Sequence, residues 1–167
     1  MEDAHLLVLG VTGHRVLAEI ARLRVEIREA LGALGDSHPG RSILLLSPLA
    51  EGADRIVAEE VLALPGGRLF APLPLPMEEY VKDFETAESK QEFHALLKLA
   101  TGSFVLPPAP TRNEAYLAVG HYVAEKCEVL LALWDGEGAQ GRGGTGEIVE
   151  YARSLGKPVI WVKAARE

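Results

Sequence analysis

Val129-Leu-Leu-Ala-Leu-Trp134, then Asp135-Gly136, then Gly141-Arg-Gly-Gly-Thr145 at the head of an amphipathic run, is the stretch on which the fold turns. An unbroken apolar run with no polar alternation reads as a strand buried on both faces, the mark of a parallel sheet. A glycine-rich loop leading from such a strand into a helix places backbone N–H groups where an anion can meet them. The partial positive charge of the helix N-terminus lies behind them. Thr145 either caps the helix that runs to Leu155 or donates its hydroxyl to a phosphate oxygen.

Outward from this stretch, two periods alternate. Leu6 to Leu9 is a short apolar run ended by Gly10, a buried strand. From Val16 to Leu34 the apolar residues fall at helical spacing, and Gly35 supplies a stop. Ser42–Ser47 reads as strand, Ala53–Leu64 as helix and Arg68–Ala71 as a weaker strand. The three prolines of Pro72-Leu-Pro-Leu-Pro76 exclude a helix or a central strand there. Met77–Ala100 has helical character, Phe104–Leu106 is a short strand, and Thr111-Arg-Asn-Glu114 is a capping box opening a helix to about Lys126. Val159–Val162 is the last strand. Strands alternating with helices predict an α/β fold: one Rossmann-like three-layer α/β/α domain, residues 1–167, with a mainly parallel sheet.

Composition sets the limits. The chain has 167 residues, 48% apolar and 25% charged, which excludes wholesale disorder. A net charge of −7 argues against nucleic acid as a partner, since phosphate backbones need clustered Lys and Arg. A pocket for one small phosphate remains compatible. The single cysteine, Cys127, allows no intrachain disulfide and reads as buried and inert. Met1–His5 lacks the basic start of a signal peptide, and no apolar run approaches the ~20 residues that cross a bilayer. The expectation is a soluble cytoplasmic protein with no membrane partner. The five His are scattered without zinc spacing, and neither a P-loop nor Gly-x-Ser-x-Gly occurs, so no metal or cofactor is expected.

In an open parallel sheet, ligands bind beyond the carboxyl ends of the strands, where strand order reverses. The segments at those ends therefore hold the candidates. Gly10-Val-Thr12-Gly13-His14-Arg15 follows the first strand. Gly13 is expected in a backbone shape closed to other residues, and Thr12 as a helix cap. Arg15 is either a phosphate counter-ion or a solvated first-turn residue. His14 is either a hydrogen-bonded structural residue or an acid–base or metal group. Glu51, Asp54 and Arg55 open the second helix, and the acids either neutralise its N-terminus or bind ribose hydroxyls. Asp135 either closes a turn on its own backbone or faces the cleft. Tyr80 and Phe84, at i and i+4, are either core or a stacking surface for a base. With Gly143, Gly144 and Thr145, these segments are expected to converge on one cleft.

Gly10-Val-Thr-Gly-His-Arg15, Leu49-Ala-Glu-Gly-Ala-Asp-Arg55, Leu73-Pro-Leu-Pro76 with Tyr80 and Asp83-Phe84, Trp134-Asp-Gly136 and Gly143-Gly-Thr145 occur in that order. In combination they resemble the SLOG superfamily of Rossmann-like domains, in its sensor-like bacterial branch. Its members include the LOG phosphoribohydrolases, once described as possible lysine decarboxylases, and the DNA-processing protein A domain. The resemblance implies a nucleotide or nucleotide-derived ligand at the strand ends. It assigns ligand contacts to Gly10, Thr12, Gly13 and Arg15, to Glu51 and Asp54, and to Gly143, Gly144 and Thr145. It also implies a homo-oligomer, with the apolar Phe93–Leu99 face as a candidate contact, and leaves room for a separately encoded effector.

LOG enzymes carry Pro-Gly-Gly-x-Gly-Thr-x-x-Glu, whose last Glu serves N-glycosidic cleavage. Aligned on Gly144-Thr145, that position holds Ile148, and Glu147 lies about 100° away around a helix. Binding or sensing is therefore the first expectation. The alternative is a phosphoribohydrolase acting on a nucleoside 5′-monophosphate, with Glu147 or Glu51 catalytic.

Overall fold

A computed structural model describes residues 5–137 and 144–165. Six strands form one parallel sheet: β1 (Leu6–Gly13), β2 (Ser42–Leu46), β3 (Arg68–Leu73), β4 (Gly102–Val105), β5 (Val129–Trp134) and β6 (Val159–Lys163). Their order is β4-β3-β2-β1-β5-β6, so strand order reverses between β1 and β5. The helices are α1 (Ile20–Ser37), α2 (Ala53–Leu62), α3 (Met77–Tyr80), α4 (Ala87–Leu99), α5 (Arg112–Lys126) and α6 (Thr145–Ser154).

Side-chain alternation along β1 divides the molecule into layers. Leu7, Leu9 and Val11 enter the main core with Leu23, Ile27, Leu31 and Leu34 of α1, Val57 and Val61 of α2, and Phe93 and Leu96 of α4. Val8 faces the opposite way, into the cluster of Val123 and Ala124 of α5, Cys127, and Ile148 and Ala152 of α6. Every residue of β5 is buried, as an interior parallel strand between two helical layers requires. The Cys127 thiol donates to the Ala124 carbonyl at 3.5 Å, and burial raises its pKa. No described helix is long and apolar enough to cross a membrane.

Several sequence expectations are corrected. β1 runs past Gly10 to Gly13 because β5 pairs with it from Leu9 to Gly13. Gly10 is needed for space, since a Cβ there would lie 2.7 Å from Val123 Cγ1. Gly13 is likewise a close-approach glycine without positive φ: a Cβ would lie 2.4 Å from Ala53 Cβ and 2.7 Å from the Leu133 carbonyl oxygen. Thr12 lies inside β1 and caps no helix. Glu19, in the left-handed region at φ 58°, stops α1 from starting earlier, so Arg15 sits in a loop and does not oppose a helix dipole.

Pro72 lies inside β3, between β2 and β4. The Phe70 carbonyl accepts from Ser47 N–H on the β2 side, whereas the Leu69 and Leu73 carbonyls accept from Thr101 and Leu106 on the β4 side. By alternation the Pro72 nitrogen points toward β2, beyond the last ladder pair Leu46–Phe70, where no donor is called for. The Met77–Ala100 stretch is broken: α3 passes into a 3₁₀ turn, Val81–Asp83, and α4 begins after Thr86, whose hydroxyl accepts from Ser89 N–H at 3.0 Å. The Phe93–Leu99 face is spent inside the chain. Phe93 and Leu96 are buried in its own core, while Leu99 at its end stands exposed. Thr111 caps α5 as expected, its Oγ1 accepting from Glu114 N–H at 3.1 Å.

Candidate ligand-binding site

A cavity of about 220 Å³ opens at the carboxyl end of the sheet. Thr12, Gly13 and Arg15 bring the end of β1 to it. Pro48 and Ala50 come from the β2–α2 loop, Asp54 from the first turn of α2, Tyr80 from α3 and Thr145 from the first turn of α6. Its remaining wall is the inner face of α5, with Asn113, Tyr116 and Gly120, backed by Ile148.

The β2–α2 loop is held under strain. Leu49 is fully buried at φ 62°, a left-handed conformation that costs a non-glycine residue roughly 1–2 kcal/mol. Its N–H donates to Ser47 Oγ at 3.2 Å, and Ser47 Oγ donates to the Asp54 carbonyl at 3.0 Å. Its carbonyl accepts from Arg55 Nε at 3.0 Å. The Arg55 guanidinium is 3% exposed, lies 4.4 Å over the Phe84 ring, and donates to the Ser89 carbonyl and to Glu92 of α4. Glu51 accepts from the Ser89 hydroxyl. Arg55 and Glu51 thus tie the loop to α4 and do not line the cavity.

Asp54 does line it, half-buried. Burial pushes its carboxyl from 3.8 up to about 7, although the Ala50 N–H, donating to Oδ2 at 3.2 Å, and the Arg15 and Arg55 charges pull the other way. Tyr80, fully buried, donates its hydroxyl to the Pro48 carbonyl at 3.0 Å, and its pKa is raised mainly by burial.

The N-terminus of α6 also reaches the cavity. Gly144 is its N-cap, with no side-chain capping bond, and its carbonyl accepts from Glu147 and Ile148 N–H. Thr145 is 7% exposed and borders the cavity. Ile148 faces the cavity where LOG enzymes carry Glu, and Glu147 does not line it. Gly143 lies outside the described residues.

Asp135 is placed elsewhere. Its Oδ1 accepts from Glu137 N–H at 2.9 Å, and it borders a second depression with Glu19, Arg22 and Lys163. His14 is a structural node: its N–H donates to the Leu133 carbonyl, its carbonyl accepts from Ala53 N–H, and Nε2 accepts from Asp135 N–H at 3.1 Å. Gly52, at φ 84°, allows the Ala53 contact, since a Cβ there would meet the His14 and Arg15 carbonyls at 2.4 Å. Phe84 is core, fully buried.

Sequence reasoning missed the α5 wall. Its pattern was present in Asn113, Tyr116 and Gly120, which share one helix face at i, i+3 and i+7. Gly120 allows α6 to close on α5, because a Cβ would lie 2.5 Å from Ile148 Cδ1.

No protein-family model matches the chain, and no curated protein does. Solved structures are similar in fold. DNA processing protein A from Helicobacter pylori, described for its single-stranded DNA binding mode, aligns with TM-score 0.61 and 17% identity over 93% of this chain. This chain spans 64% of that protein, less than two thirds of its length. The structural genomics target TM1055 aligns with TM-score 0.55 and 17% identity, covering 92% of this chain and 72% of that one. The Moco carrier protein from Chlamydomonas reinhardtii aligns with TM-score 0.48 and 19% identity, covering 93% and 75%. The chain shares the Rossmann-like fold of DNA processing protein A and TM1055.

Proposed function

We propose that the chain binds a nucleotide or nucleotide-derived phosphate in this cavity. One observation carries the reading: the first turn of α6 and the Arg15 loop at the end of β1 border the same opening beside the strand-order reversal. Helix N-termini favour anions, and arginine supplies a planar fork of donors. The cavity volume lies just below the roughly 300–1,000 Å³ of small-ligand sites, which suits a mononucleotide better than a dinucleotide. The oligomer and the separate effector implied by the resemblance are part of the same reading: binding would be read out by a partner chain.

Isothermal titration with nucleoside monophosphates, cyclic nucleotides and ADP-ribose tests it. Binding with a submillimolar Kd, weakened by Arg15→Ala and by Thr145→Val, is expected. Absence of binding across the panel, or binding indifferent to both substitutions, would refute it.

Hydrolysis is the second reading, and Asp54 is what favours it. Glu51 and Glu147 do not line the cavity, so a carboxyl group for the ribosyl carbon would have to come from Asp54. Release of free adenine from AMP, lost in Asp54→Asn, would select cleavage. AMP left intact after long incubation would retire it for that substrate.

A further inference from the structure

We propose that Arg15 and Tyr116 form a two-sided clamp for a planar heteroaromatic ring, so that the cavity takes a base-bearing phosphate in preference to a bare sugar phosphate. The proposal rests on the phosphate reading above and adds the moiety that would confer selectivity.

Arg15 is exposed, and its guanidinium carbon lies 6.0 Å from the Tyr116 ring centroid. The same kind of pair is closed elsewhere in the molecule, where Arg55 rests on Phe84 at 4.4 Å. Carbon atoms in contact lie about 3.5–4.0 Å apart, so a ring inserted between two planes needs about 7 Å. The Arg15–Tyr116 gap is wider than direct contact and about 1 Å short of that slot. The exposed Arg15 side chain can supply the difference by a rotamer change.

Tyr116 is the fixed jaw. Behind it stands Tyr80, with ring centroids 6.1 Å apart. Tyr80 is pinned by its bond to the Pro48 carbonyl and by edge contacts with Phe84 and Phe93 at 5.0 and 5.5 Å. The Tyr116 hydroxyl is buried and has no hydrogen-bond partner among the described residues. What Tyr116 offers the cavity is therefore its ring face. Asn113, one turn earlier on the same wall, carries an amide that can both donate to and accept from a base edge. Stacking on an aromatic or guanidinium plane tolerates any base, because every base has a π-face.

The test is isothermal titration of AMP and of ribose 5-phosphate into the wild-type chain and into Arg15→Lys, Tyr116→Phe and Tyr116→Leu. Lysine keeps the charge and loses the plane; phenylalanine keeps the ring and loses the hydroxyl. AMP is expected to bind at least about tenfold more tightly than ribose 5-phosphate. Tyr116→Phe should keep that preference. Arg15→Lys and Tyr116→Leu should each erase it, weakening AMP more than ribose 5-phosphate. Arg15 is exposed, so its variant tests the clamp even if Tyr116→Leu fails to fold by circular dichroism. Equal binding of the two ligands to the wild type, or equal weakening of both by Arg15→Lys, would overturn the clamp and leave the phosphate reading standing. Failure of both ligands to bind the wild type would overturn both.

Discussion

The Asp135 amide donates to Nε2 of His14 at 3.1 Å, joining the end of β5 to the end of β1 across the strand-order reversal. The same Nε2 lies 3.4 Å from the Asp135 carboxylate oxygen Oδ2. The backbone of the same histidine bonds Leu133 and Ala53, so one residue fastens β1, β5 and α2 together. His14→Ala removes the acceptor of a half-buried amide and should cost about 1 kcal/mol in urea unfolding. An unchanged stability would remove His14 from this role.

Arg55, in the first turn of α2, should be the most sensitive charged position around the β2–α2 loop. It is buried, it donates to the strained Leu49 carbonyl, and it anchors the loop to α4. Arg55→Ala leaves the Leu49 carbonyl and the Ser89 carbonyl and hydroxyl without this donor and should destabilise by about 1–3 kcal/mol. Arg55→Lys should recover little, because one ammonium cannot reach the same acceptors in a plane. Thermal unfolding of the two variants checks both statements.

Asp54 should make stability fall as pH rises. Its folded pKa of about 7 lies above the ordinary 3.8, so the folded chain holds this proton more tightly than the unfolded chain. The contribution is fully present below pH 3.8 and is lost as pH rises through about 7. Its ceiling is about 4 kcal/mol, reduced because the cavity is open to solvent. Asp54→Asn should flatten the profile, gaining on the wild type as pH rises through about 7 in paired denaturant titrations. Parallel pH profiles for the two proteins would contradict the buried, proton-holding carboxyl.

Tyr116→Phe should be neutral or stabilising, by up to about 1 kcal/mol, since it removes a buried hydroxyl with no partner among the described residues. A loss of more than that in chemical unfolding would mean that the hydroxyl is bonded in solution.

The sheet was legible in the sequence because its strands are short, apolar and bounded by glycine or charge. β5 and the Thr111 cap of α5 are read to the residue. The misreadings share one cause: local rules describe a residue by its own preferences, and neighbours decided otherwise. Pro72 enters a strand because the partner strand has already ended. Gly10 and Gly13 are read as loop glycines, but they answer to Val123 and Ala53, residues far away along the chain. Arg55 looks like a site residue by position and is drawn instead to α4. The α5 wall was hidden because a helix face becomes a cavity wall only when another element leaves room in front of it.

The most direct measurement is a titration of AMP into the isotopically labelled chain, followed residue by residue through its amide NMR signals. Saturable shifts should concentrate at Gly13, Arg15, Ala50, Tyr116, Thr145 and Gly146. Shifts that stay absent at millimolar AMP, or that gather on the α1 side of the sheet instead, would contradict the placement of the ligand at this cavity.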